Sequence, residues 1–134
     1  MRLSRRISSI SHGSASTTQI FNGIRAGAKQ LIKDNQAHGL KTIRALVSDH
    51  VYGWAPASDC NDDAAYIAMV CKTSGMDANE PVSFFGTAGA KTLIAMWPGF
   101  CIQENGRCIY ARDLIASACY NAVGVPYPEQ GAVV

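Results

Sequence analysis

The stretch Leu93-Ile-Ala-Met-Trp-Pro-Gly-Phe-Cys-Ile-Gln-Glu-Asn-Gly106 brings an apolar run up to a carboxylate and then turns. Leu93, Ile94, Met96, Trp97, Cys101 and Ile102 are apolar, and Asn105-Gly106 are turn formers. Helical spacing therefore puts Glu104 at the end of a buried helix, facing a cleft, where a carboxyl group is placed to act as a proton donor. The simpler reading is a surface Glu at a helix terminus. Pro98 lies inside the run. An interior proline costs a helix about 3 kcal/mol, so a break or sharp kink is expected there, with a helix over Thr87–Trp97 and a short helical piece from about residue 99 or 100 into Glu104.

The rest of the chain has the same period. Ile20, Ile24, Ala28, Leu31 and Ile32 recur at steps of three and four and end at His38-Gly39. Thr42 is placed to cap a second helix with Ile43, Leu46, Val47 and Val51 on one face. Asp59 to Asp62 can cap a third, bearing Tyr66, Ile67, Met69 and Val70 and stopped by Gly75. A last helix spans about Ala111 to Val123, with Leu114, Ile115, Ala118 and Cys119 inward and Gly124 as its stop. No segment alternates with the period of a strand, so the expected fold is all-α, of about five helices over residues 20–125. Residues 1–19, rich in Ser, Thr and Arg, read as a flexible or partner-bound arm, and residues 126–134, with Pro126 and Pro128, as an irregular tail.

The bulk numbers narrow the class. A chain of 134 residues that is 48% apolar and 16% charged is long enough for one domain with its own core and too apolar for a disordered protein. The net charge of +2 points to no particular partner, and a nucleic-acid role would rest on Arg2, Arg5 and Arg6 of the arm alone, so it ranks last. Five widely spaced cysteines without a Cys-x-x-Cys pair indicate buried free thiols, not zinc or a disulfide framework, and suit synthesis in a reducing cytoplasm. The basic start Met1-Arg-Leu-Ser-Arg-Arg6 is not followed by an apolar segment, so no secretion signal is expected. No run reaches the ~18 apolar residues of a membrane span.

Few other groups suggest chemistry. His12, His38 and His50 lack metal-ligand spacing, and there is no phosphate loop or nucleophile elbow; neither a metal nor a cofactor is expected. Helix capping is the first expectation for Asp62. Trp54, Tyr66, Trp97, Tyr110 and Tyr120 could line a sugar-binding cleft, although large aromatics at helical spacing more often belong to the core. Tyr110, six residues beyond Glu104, is expected to bring its hydroxyl toward that carboxylate.

Five blocks, Asn22-Gly-Ile-Arg-Ala26, His38-Gly-Leu-Lys-Thr-Ile-Arg44, Trp54-Ala-Pro56, Asn61-Asp62 with Tyr66, and Glu104-Asn-Gly-Arg107, occur in an order and at a spacing that resembles the lysozyme-like, lytic transglycosylase-like murein-degrading proteins of bacteriophage particles. The resemblance covers about residues 20 to 125. It implies a lysozyme-like helical domain in a virion protein that contacts peptidoglycan and other virion proteins, and that cleaves cell-wall murein as the genome enters the host. Glu104 would be the catalytic acid, with Asn105, Arg107, Tyr110, Tyr66 and Trp54 as substrate contacts. The bond implied joins N-acetylmuramic acid to N-acetylglucosamine, although some phage members of the group are assigned as endopeptidases. The chain departs from the family's pattern in three places. Residues 1–19 lack the Asn-Asn-Pro-Gly-Asn opening, Gln103 stands where a His is common, and Pro98-Gly99 falls inside a helix. The alternative expectation is therefore a catalytically degenerate structural or internal virion protein that keeps the fold.

Overall fold

A computed structural model describes residues 16–57 and 62–128, and its described residues form five α-helices and no strand. They are α1 (Thr17–Gln36), α2 (Ile43–Ser48), α3 (Asp63–Ser74), α4 (Gly86–Asn105) and α5 (Arg112–Val123). The all-α expectation is met. Arg2, Arg5, Arg6, His12, Asp59, Cys60 and Asn61, and the expectations that rest on them, lie outside the described residues.

α1 begins earlier than its apolar period suggested. Ser16 accepts from the Gln19 amide while the Gln19 side chain accepts from the Ser16 amide, a reciprocal capping box that starts the helix at Thr17 instead of Ile20. Residues 16–19 therefore belong to the helix and its cap, not to the arm. α2 is capped by Thr42 as its sequence indicates, but it ends at Ser48, so Val51 leaves the buried face and stands 56% exposed. Asp62 caps α3 by accepting from the Ala65 amide.

α4 is the central helix. Gly89, Ala90, Leu93, Met96, Trp97, Gly99, Phe100 and Cys101 are all buried, and a helix apolar on every side belongs in the interior. It packs chiefly on α3 and α5, and α5 also packs on α1. The Trp97 and Trp54 rings meet edge to face with centroids 5.8 Å apart, and Phe100 lies 4.3 Å from Trp54. Burial of each such ring stabilises the fold by roughly 1.5–3 kcal/mol.

Pro98 does not break this helix, contrary to the expectation from its position. Proline has no N–H to give the Ile94 carbonyl, but two features of the packing hold the helix through it. The Thr73 hydroxyl of α3 donates to the Ala95 carbonyl at 2.9 Å, satisfying backbone on the proline's own turn from outside the helix. Gly99 lets α3 approach to backbone contact, since a Cβ there would lie 2.6 Å from the Val70 Cα. The cost of the ring is offset by interhelical contacts that a sequence window does not contain.

A second anchor joins the loops. Asn35, buried at the end of α1, donates at 3.0 Å to both the Leu40 and Val82 carbonyls. The Val82 amide in turn donates to the Lys41 carbonyl. The connection from α3 to α4 is thereby laid along the chain leading into α2, and no buried polar group of Asn35's amide nitrogen is wasted.

Candidate functional site

The Glu104 site is built where α3 begins and α4 ends. Asp62 caps α3 at its N-terminus, and the Ser48 hydroxyl at the end of α2 donates to Asp63 at 2.9 Å, so the first turn of α3 is held from two sides. Tyr66, one residue past that turn's cap contact, is buried, and its hydroxyl donates to Glu104 Oε2. Glu104 itself is half-buried in the last turn of α4. Gly106 then takes a left-handed conformation (φ 80°) and returns its amide to the Ile102 carbonyl at 2.7 Å, ending the helix just past the carboxylate. A side chain with a Cβ would be strained at that φ.

The other predicted site residues divide. Asn105 is half-buried, and its amide nitrogen is buried without a hydrogen-bond partner among the described residues. Arg107 is exposed on the turn. Trp54 is 1% exposed and its ring is covered by Trp97 and Phe100, so it is core and not an open platform for a sugar. Its indole nitrogen has no protein partner among the described residues.

Tyr110 also differs from the expectation. The hydroxyl on Glu104 comes from Tyr66, 38 positions away in sequence, while the Tyr110 hydroxyl is buried with no protein partner among the described residues. Burial, reinforced by the neighbouring Cys101 and Cys108, pushes its phenol up to about 12. Tyr110 instead lines a groove of about 850 Å³ between α4 and α5, with Ile94, Pro98, Cys108, Ile115 and Tyr120 among its walls and Lys91 and Arg112 contributing charge. Glu104, Tyr66 and Trp54 do not line that groove.

The His38 ring stacks on Tyr52 at 3.7 Å, and its Nε2 lies 4.0 Å from the buried Asp34. This is a packing arrangement at the end of α1. Among the described residues there is no cluster of His, Cys, Asp and Glu able to hold a metal, and no helix long and apolar enough to cross a membrane.

One pairing was not read from the sequence. The Cys108 thiol, half-buried beyond the Gly106 turn, donates to the Tyr110 carbonyl at 3.9 Å.

The fold and the site together define an all-α domain with a tyrosine-held glutamate at the end of its central helix. No family model, curated protein or solved structure matches the chain.

Proposed function

We propose that this chain is a lysozyme-like phage virion protein that cleaves cell-wall murein as a lytic transglycosylase or muramidase, with Glu104 as its acid and base. The observation that carries the reading is the Tyr66–Glu104 hydrogen bond. It joins two of the five blocks on which the resemblance rests, and a hydroxyl on one carboxylate oxygen restricts the carboxyl group's orientation, as proton transfer to a fixed substrate atom requires. A third block acts from beneath, since Trp54 packs on Trp97 and Phe100 of the helix that presents Glu104.

One carboxyl group suffices for the transglycosylase reaction. Protonated Glu104 gives its proton to the glycosidic oxygen as the bond to the muramoyl C1 breaks and positive charge develops on the sugar. The resulting carboxylate takes the proton of the muramoyl 6-hydroxyl, whose oxygen closes on C1 to form the anhydro sugar. Glu104 ends protonated, and no water is consumed. Asn105 and Arg107, which follow Glu104 on the chain, are the polar groups expected to hold the glycan; other virion proteins are the expected neighbours in the particle.

The alternative, a structural virion protein that retains the fold without the activity, is favoured by one observation: the α4–α5 groove lies away from Glu104, and the Trp54 ring is covered. Release of anhydromuropeptides from purified peptidoglycan separates the two. The enzyme reading expects release by the wild-type chain and its loss in Glu104→Gln. Equal release by both proteins removes Glu104 from the mechanism, and no release by either supports the structural reading.

A further inference from the structure

The α4–α5 groove takes no part in the site at Glu104. Ile94 and Pro98 line it from α4, Ile115 and Tyr120 from α5, and Tyr127 from the segment that follows. At about 850 Å³, with walls that are mostly apolar, it has the size and character of a small-molecule site. Its polar groups are few and lack partners. Tyr110 is 8% exposed, and its hydroxyl is buried with no hydrogen-bond partner among the described residues. Lys91 and Arg112 line the groove without an ion pair among the described residues. α5 begins at Arg112 with Ala111 in the capping position, so no capping side chain accepts from its first amides. We propose that the groove binds a small amphiphile with an apolar body and a single carboxylate.

Charge selects the head group. Two cations, Lys91 and Arg112, and one carboxylate, Asp113, line the groove, which leaves it one net positive charge and favours a monoanion over a dianion or a cation. The planar guanidinium of Arg112 suits a carboxylate, and the Tyr110 hydroxyl supplies a donor for its second oxygen. The two residues are two positions apart, so one head group spans both. The uncapped amides at the start of α5 favour negative charge at that same end. A buried hydroxyl without an acceptor is unfavourable, and the ligand's oxygen removes that cost. The apolar body then runs past Ile115 toward Tyr120 and Tyr127, leaving water as it does so. Lys91, two turns or about 10 Å before Pro98 along α4, adds attraction from the other end. None of this rests on the murein-cleaving function, since Glu104, Tyr66 and Trp54 do not line the groove.

Decanoate is the probe, titrated into the full chain by calorimetry and followed by methyl NMR. Saturable binding is expected, with the Ile94 and Ile115 methyls shifting while that of Ile43, a core residue outside the groove, stays in place. Decanol and decylammonium, with the same body and no negative charge, are expected to bind about tenfold more weakly or not at all. Tyr110→Phe keeps the ring and should weaken decanoate about tenfold. Its denaturant midpoint should not fall, because the lost hydroxyl had no partner. Arg112→Met, at an exposed position, should weaken decanoate and make its binding less sensitive to salt. Absence of saturable binding, equal affinity for decanoate and decanol, or unchanged affinity in Tyr110→Phe would overturn the proposal. Glu104→Gln should bind decanoate as the wild type does, and its failure to do so would place the ligand elsewhere and count against the groove. Decanoate binding without anhydromuropeptide release refutes the murein reading alone, and release without decanoate binding refutes the groove ligand alone.

Discussion

α3 and α4 meet at two places that obey different physics. At Gly99 the helices touch backbone to backbone, with the Val70 Cα against the glycine and the Thr73 hydroxyl on the Ala95 carbonyl. One end further on they meet through the Tyr66 hydroxyl and the Glu104 carboxylate. The first contact tolerates no added atom and sets how the helices cross. The second is a long-armed polar contact whose loss leaves the crossing in place. The crossing is the fold's requirement, and the polar pair is where a function can reside without the fold depending on it.

This difference has measurable consequences. On the function proposed above, Glu104→Gln should lower murein cleavage by about 10²- to 10⁴-fold, as expected for loss of an acid–base group, while thermal unfolding shows the fold intact. A mutant that unfolds early would make Glu104 a structural residue and erase the distinction. Gly99→Ala should act in the opposite way. A Cβ pressed into α3 backbone costs about 2 kcal/mol, read as a lower denaturant midpoint, and activity falls only through the unfolded fraction. An unchanged midpoint would mean that the two helices can slide apart at that contact.

Tyr66→Phe lies between these cases. It removes one hydroxyl and keeps the ring, so a loss of about 1 kcal/mol is expected in chemical denaturation. Activity should drop by about tenfold, well short of the Glu104→Gln effect, since the proton donor remains but its orientation loosens. The smallest effect belongs to Asp49, outside the α3–α4 contact. Its carboxylate is held below the usual range mainly by the Tyr52 amide, with the Val51 amide adding to this and burial opposing it. A depressed folded-state value means that its contribution is present above the ordinary carboxyl value of 3.8 and is lost as pH falls through the folded value. Acid melts of wild type and Asp49→Asn should therefore diverge slightly near neutrality and converge at the acid end. Because the group is largely exposed, solvent screening keeps the difference small.

Much of the helical fold was legible along the chain because it rests on local signals. The Thr42 and Asp62 caps and the stops at Gly75 and Gly124 all stand where sequence places them. The misreadings at Pro98 and Tyr110 have a tertiary source, unlike the early start of α1, which a local capping box sets. Pro98 signals a break within any window of its own helix, yet the groups that hold the helix, Thr73 and the Val70 backbone, come from α3. For the site, the sequence marked both Tyr66 and Glu104 but assigned the partner hydroxyl to Tyr110. Nearness along the chain misled there, because the turn after Gly106 carries Tyr110 into the α4–α5 groove. Trp54 was marked as either platform or core, and only the rings covering it decide for core.

By itself, then, the sequence determined that the chain forms helices, where most of them start and stop, and that a glutamate closes the longest apolar run. These follow from period, capping and turn chemistry, which act over a few residues. The tertiary structure decided that α4 runs unbroken through Pro98, that Tyr66 holds Glu104, and that Tyr110 enters the α4–α5 groove instead. Each depends on groups from another helix or from across a chain reversal, and such contacts have no fixed spacing in sequence.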